Sequence, residues 1–542
     1  MSPFEREQIA DLVDVFGSAF IAYVLNLEGE VTVEELLADL HPSQVAALQV
    51  LGRLREPHRP ASGTPEGAAW ASRHNIDQYV PEAGASLPNL LRIQSGGTVP
   101  PPRTAADPVL DALYEMLMDT YPALMLPQES PGLGAPISGT VFNHPLRAAL
   151  ESAVLADPAL AKLYSEESAT SGWSGSVFRS TGQGGGVQLW GFASQQIAMA
   201  HAWASLATSL PTVDEVADKL ALSVAAIRQA LDGESVAVPM LVGLTGVLLP
   251  DELDQLDLGW GTLRRATEID SRIAGRTGVA GKLQTTQPDG TVVTIDYAGD
   301  VVLTLEVPYK ISVGEMKPGK GWRPELAAVQ VAAAQDVESL RLALALALED
   351  NQPALVVQSW QMTIDPLASA ALPGWNDTRR TPNLLPRQLK REQVEAWAVW
   401  SQRVRTNRTP TTAVSVRRML QALGERHNQE DVLVDAVVVW ENLFGASQET
   451  TLRICTALAW LLGKDAADRA KRQSQYKKLY TLRSNIVHGS AKVASDKVPG
   501  AARETVQISL SALRELFEHR PELLAEDSSE SRGNKLLLDV KS

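Results

Sequence analysis

Apolar residues recur at intervals of three and four through FEREQIADLVDVFGSAFIAYVL, and this spacing predicts amphipathic helix across residues 4–55. TVEELLADL starts on a threonine with glutamates following, and HPSQVAALQVLGRL continues as helix. PHRPASGTPEG and QSGGTVPPPRTAADP break the pattern with proline, glycine and serine. Helix resumes over 108–125 and again in HPLRAALESAVLADPALAKLY, with the turn-rich stretch 126–142 between them. PTVDEVADKLALSVAAIRQALDG, residues 211–233, has a helix-turn-helix layout. It reads as a capped helix from Thr212 to Leu220, an Ala-Leu-Ser turn, and a second helix with Ser223 as its N-cap.

From Ser235 the period shortens to two. VAVPMLVGLTGVLL, TVVTIDYAGDVVLTLEVPYKISV and PALVVQSWQMTI read as strands, with DVESLRLALALALED as an intervening helix. The turn Tyr297–Asp300 is expected to join two of these strands as a hairpin. ALPGWNDTRRTPNLLP reads as a linker. A helical tract follows, with main helices at about 431–444, 447–463, 466–488 and 501–518. Phe444-Gly445, Gly463 and Gly489 mark helix ends, because glycine tolerates the left-handed conformation there. AEDSSESRGNK reads as a disordered tail, with LLLDV beyond it able to dock.

The fold class expected is multidomain α+β: a helical N-terminal region, a mixed α/β middle domain and a C-terminal α-helical bundle. The boundaries are 1–200 for the N-terminal region, 201–234 for the helix-turn-helix-like segment and 235–375 for the α+β domain. The bundle covers 388–520 and the flexible tail 521–542. With 542 residues and 44% apolar composition, the chain has material for several cores.

Charge and composition narrow the function classes. A net charge of −15 argues against a protein coated with nucleic acid but allows a local basic groove. One cysteine, Cys455, in an apolar stretch excludes an internal disulfide framework and fits a reducing, cytoplasmic setting. The start lacks the basic segment of a secretory leader, and no apolar run approaches the ~18 residues of a membrane span.

Two motifs offer weak chemistry. SGWSGSVFRSTGQGGGVQ, around Ser171 to Gly186, is glycine-rich enough for a phosphate-cradling loop. No Lys-Ser/Thr pair follows it, so a plain loop or a strand bend is favoured. The second helix of the 211–233 segment offers Ser, Val, Ala, Ala and Ile before Arg228, a poor surface for DNA, so packing or protein contact is favoured there.

The stretch Asp431–Gly489 carries more. Lys464, Arg469, Lys471, Arg472, Lys477, Lys478 and Arg483 face only Asp465 and Asp468, seven charges against two, or +5 over residues 464–490. Tyr476 and Tyr480 interleave with the lysines. A solvated helix face accounts for such a run, and so does a polyanion site. Arg483 and His488 shift the balance toward the latter. A histidine in the last helical turn can take a proton from a ribose 2′-hydroxyl or give one to a departing 5′-oxygen. A guanidinium can stabilise charge building on the phosphate oxygens. Residues five apart lie about 140° apart around a helix, so one helix presents both to a substrate only if its end is distorted or a second copy of the site contributes. This chemistry requires no metal.

VRRMLQALGER, DVLVDAVVVWENLFG, the Thr450–Arg453 segment with LAWLLG, and LYTLRSNIVHG together resemble the HEPN superfamily, closely its bacterial ApeA type, over about 415–520. PMLVGLTGVLL…LGWGTLRRATE and LVVQSWQMT resemble more loosely the domain that precedes HEPN in such proteins. Residues 1–200 resemble nothing specific.

Active members of that superfamily are metal-independent endoribonucleases of toxin–antitoxin, abortive-infection and other anti-phage systems. In them two HEPN domains pack so that their Arg and His residues form one cleft. The resemblance implies that Arg483 and His488 are catalytic, with Ser484, Asn485 and Glu441 supporting, and that Arg472, Lys477, Lys478 and Tyr480 bind RNA. Ser484 stands where many members carry Asn, and Trp440 is expected to pack. Glu441 orients the basic pair or caps surface charge. No cofactor or metal is implied. The implied partners are an RNA substrate (tRNA among the candidates), a phage-derived trigger or regulatory partner, and a second copy in a homodimer; no membrane is involved. The alternative is a non-catalytic HEPN scaffold that binds nucleotide, nucleic acid or protein. A third reading, a transcriptional regulator using residues 211–233, lacks the basic face it requires.

Overall fold

A computed structural model describes residues 4–38, 40–55, 65–127, 138–164, 176–180, 184–207, 210–267, 270, 282–286, 292–296, 300–314, 328–348, 356–368, 374–375, 386–489 and 495–538. It is a mixed α/β protein, mostly helical, with several sheets. None of the described helices is long and apolar enough to cross a membrane.

The middle of the chain builds one six-stranded antiparallel sheet. Its strands are β1 (Val236–Thr245), β2 (Gln255–Asp257), β3 (Thr262–Arg265), β4 (Val301–Tyr309), β5 (Val357–Thr363) and β6 (Gly374–Trp375), in spatial order β6-β5-β1-β4-β3-β2. Every residue of β1 from Val238 to Leu244 is buried, so both faces of this central strand are covered. Alternate side chains part company there, as a period of two requires. Met240, Val242 and Leu244 join the core under the C-terminal helices. Leu241, with Val302 and Trp360, meets Met199 on the opposite face, from the helix Phe192–Ala204. The sheet is thus a wall between N-terminal and C-terminal helices.

Behind the wall, helices from Arg6–Phe16 to Val213–Leu231 enclose a core of their own. The segment 211–233 is not a helix-turn-helix: Val213–Leu231 is one unbroken helix, started by a Thr212–Glu215 capping box. Ala-Leu-Ser contains no helix breaker. The Ser223 hydroxyl finds a buried partner in Gln196 Oε1 at 2.9 Å, while Leu220, Val224 and Ile227 stay on the core stripe. In the glycine-rich stretch, Gly184–Gly186 forms a strand paired with Ser176–Phe178, which also pairs with Ile311–Gly314. Those glycines serve a β-ladder; residues 171–175 and 181–183 lie outside the described set.

The expected hairpin at Tyr297–Asp300 does not form between the flanking strands. Val292–Asp296 pairs with Lys282–Thr286, because both edges of β4 are taken by β1 and β3. Asp300 instead accepts from the Gly246 amide and the Thr245 hydroxyl; residues 297–299 are not among those described.

The C-terminal helices are α1 (Ala328–Ala347), α2 (Arg391–Asn407), α3 (Ala413–Leu420), α4 (Gln429–Phe444), α5 (Thr450–Leu462), α6 (Ala466–Val487), α7 (Val498–Glu518) and α8 (Ser529–Leu537). They share one continuous core with the sheet. Trp397 Nε1 donates to the Leu340 carbonyl at 2.9 Å, and the Arg514 guanidinium donates to the carbonyls of Ala345, Leu346 and Leu348, satisfying the C-terminal end of α1. Of the three glycines at helix ends, Gly489 alone is left-handed, with φ +65°. Gly445 and Gly463 have ordinary negative φ and are small for another reason: a Cβ would lie 2.3 Å from the Glu441 carbonyl oxygen and 2.5 Å from that of Ala459.

Of the expected flexible tail 521–542, residues 521–538 are folded instead, and 539–542 lie outside the described residues. Pro521–Leu524 and α8 are helical, and α8 packs on α4 and α5. The reason is Arg532, fully buried, whose guanidinium donates to the carbonyls of Leu523 at 2.8 Å, Leu443 at 2.9 Å and Asn442 at 3.3 Å, and to Thr411 Oγ1 at 3.0 Å. Polar composition concealed a side chain that satisfies the carbonyls at the end of α4.

Candidate active site

The basic helix α6 runs 22 residues, about 33 Å at the usual rise, from an Asp465 N-cap whose carboxylate accepts the Asp468 amide. Tyr476, Leu479 and Tyr480 form its buried stripe. Arg483 follows Tyr480 by three residues and Tyr476 by seven, so helical geometry turns it toward that stripe and onto α4. Glu441, in the last turn of α4, receives it. Arg483 Nη2 donates to Glu441 Oε2 at 3.2 Å, and the Tyr480 hydroxyl donates to Oε1 of the same carboxylate at 2.7 Å. The Arg483 side chain is 21% exposed; its Nε is buried and has no hydrogen-bond partner among the described residues. Burial, reinforced by the Glu441 carboxylate, pushes the Tyr480 phenol up to about 12.

The end of α4 is held from two sides. Asn442 Oδ1 accepts from both the amide and the hydroxyl of Ser415, and Arg532 takes the carbonyls of Asn442 and Leu443. About two helical turns earlier, Asp435 is buried between Arg418 at 2.7 Å and Arg426 at 2.6 Å, which accounts for two of the three arginines of VRRMLQALGER. Trp440 packs, as expected: it is fully buried and its Nε1 donates to Ser509 Oγ at 2.9 Å. Cys455, behind α6, is buried, and burial raises its thiol to about 12, which leaves it unreactive.

His488 is the C-cap of α6. Its amide donates to the Ser484 carbonyl at 3.0 Å, and Gly489, in the left-handed conformation, sends its amide back to Ile486. The imidazole is exposed and makes no hydrogen bond or ion pair among the described residues. Arg483 points inward and His488 outward, and among the described residues nothing joins the two side chains. Ser484 is half-buried and Asn485 exposed, and neither side chain reaches Glu441 or Arg483.

The expected RNA-binding residues separate into two kinds. Lys477 and Lys478 are exposed and without ion pairs among the described residues. Arg472 is engaged within its own helix, by Asp468 at 2.8 Å and the Tyr476 hydroxyl at 3.3 Å. Tyr480 is buried with its hydroxyl on Glu441, so its ring offers no face for a base. The tyrosine's place beside Arg483 was recoverable from the i, i+3 spacing, and the part of Arg532 was not, because nothing nearby in sequence signals it. Arg228, the basic residue of the 211–233 segment, is held by Asp107 and by Asp157 at 2.7 Å, which removes the side chain that segment offered to DNA.

No protein-family model matches the chain, and no curated protein or solved structure matches it significantly.

Proposed function

We propose that the protein is a ribonuclease effector of the HEPN type, cleaving RNA through Arg483 and His488. The observation that carries the proposal is the Glu441–Arg483 contact, which holds a guanidinium near the surface at the C-terminal end of a basic helix, with an unengaged imidazole five residues on. In the reaction, His488 removes the 2′-hydroxyl proton and the oxygen attacks the adjacent phosphorus. The 5′-oxygen departs with a proton supplied by a second imidazole, leaving a 2′,3′-cyclic phosphate and a free 5′-hydroxyl. Arg483 offers donors to the phosphate oxygens as charge builds on them. Because Arg483 and His488 diverge within one chain, a second copy supplies the complementary pair, and the active species is a homodimer. Lys477 and Lys478 track the RNA backbone. The separate N-terminal core is where a phage-derived trigger or regulatory partner acts, and the protein works in the cytoplasm in anti-phage defence.

The test is cleavage of RNA, tRNA included, in EDTA by the wild-type chain and by His488→Ala and Arg483→Ala. Cleavage by the wild type and loss in both variants supports the proposal. Equal cleavage by all three refutes it. A His488→Ala chain that keeps full cellular function identifies a non-catalytic scaffold instead.

A further inference from the structure

We infer, on the strength of the nuclease reading above, that Tyr480 is a positioning residue: its hydroxyl fixes the Glu441 carboxylate, and Glu441 in turn holds the Arg483 guanidinium for the scissile phosphate. A glutamate at the end of a helix has rotamer freedom to lose, and a single contact to a half-buried arginine is a weak restraint on it. Here each carboxylate oxygen has its own donor, Oε1 from Tyr480 at 2.7 Å and Oε2 from Arg483 at 3.2 Å. The tyrosine is the rigid member of the three. Its ring is buried on the stripe that packs α6 against its neighbours, so the hydroxyl is delivered from a fixed place. The phenol stays protonated under ordinary conditions and therefore always donates.

The hold leaves the guanidinium anchored at one corner. Nη2 is committed to Glu441 and Nε is shielded from solvent, so the fork faces a phosphate in one orientation. Without the Tyr480 hydroxyl, Oε1 loses its donor, the carboxylate is free to turn toward water, and Arg483 loses its reference point. Tyr480 touches no substrate in this arrangement; it acts through Glu441.

Two measurements on the full chain test this. In the first, arginine side-chain Nε–H signals are followed by NMR, that of Arg483 being identified by its disappearance in Arg483→Lys. The shielded Nε–H is expected to exchange slowly with water in the wild type. In Tyr480→Phe, which keeps the ring, exchange accelerates at least tenfold while Tm stays within a few degrees; unchanged exchange overturns the inference. In the second, Tyr480→Phe and Glu441→Gln each lower kcat on RNA about tenfold with KM unchanged, and the double variant is no slower than the slower single. Losses that multiply in the double variant overturn the inference, because Tyr480 then acts independently of Glu441. If wild type cleaves no RNA but the exchange result holds, the nuclease reading fails and the positioning stands. If His488→Ala abolishes cleavage and Tyr480→Phe alters neither exchange nor kcat, the positioning fails and the nuclease reading stands.

Discussion

Trp360 occupies the space in which Gly243 would carry a side chain: a Cβ at that glycine would lie 2.0 Å from the indole Nε1. The two residues face each other across β5 and β1, at the wall between the N-terminal and C-terminal cores. Gly243→Ala is therefore expected to destabilise the fold by about 1–3 kcal/mol or more, since the buried indole has nowhere to go. Gly52, in the helix Pro42–Arg55 with nothing within 4 Å of an added Cβ, provides the contrast. Gly52→Ala is expected to stabilise by roughly 0.5–1 kcal/mol. Chemical denaturation of both variants checks the pair of signs.

Arg483→Lys keeps the charge and loses the planar fork. Contact with Glu441 and a phosphate together requires that fork, so on the proposed nuclease reading RNA cleavage is expected to fall about 10–100-fold, with melting temperature little changed. Steady-state cleavage beside a thermal melt separates the two effects.

Arg532→Met replaces the buried guanidinium with an apolar chain of similar length and leaves the carbonyls of Asn442, Leu443 and Leu523 without their donor. Desolvation of those carbonyls is expected to cost about 1–3 kcal/mol, with relief from burying a cation offsetting part of it. The same variant is expected to loosen α8, which hydrogen exchange of residues 529–537 would register.

Asp77 supplies a pH dependence. It is fully buried, accepts from the Gly139 amide and from the amide and hydroxyl of Thr140, and burial raises its carboxyl to about 7. The unfolded chain titrates the same group near 4, so between about pH 4 and pH 7 the folded state binds more protons. Stability from this group is full below that window and is lost as pH rises through it, on the order of 4 kcal/mol at most. Asp77→Asn removes the slope: the stability difference between wild type and variant changes with pH across 4–7 and is constant outside it. Identical pH profiles for the two proteins would contradict the assignment.

Much of the bundle could be read directly. The four main helices were expected at 431–444, 447–463, 466–488 and 501–518 and occur at Gln429–Phe444, Thr450–Leu462, Ala466–Val487 and Val498–Glu518, because apolar periodicity and glycine punctuation agree there. What escaped detection depended on partners distant in sequence. Ser223 carries the features of an N-cap until Gln196, 27 residues earlier, offers its hydroxyl a partner and the helix runs on. The hairpin at 297–300 was excluded by strands that claim both edges of β4. Arg532 lies in a polar stretch whose composition predicts disorder and whose single buried cation reverses it. At the site itself, residue types drew attention to Arg483 and His488, while the part of Glu441 and the division of its oxygens between Tyr480 and Arg483 required coordinates.

The grip of Arg532 on Asn442 spans 90 residues, from one side of the basic helix α6 in sequence to the other. The carbonyls of Asn442 and Leu443, next to Glu441 in the chain, therefore receive this donor only after α8 has been made and has folded back. A growing chain that has synthesised Arg483 and His488 still lacks the side chain that satisfies the end of α4. Under the nuclease reading proposed above, that order of assembly delays the active arrangement until translation has passed α8, and spares the template while the chain is being built.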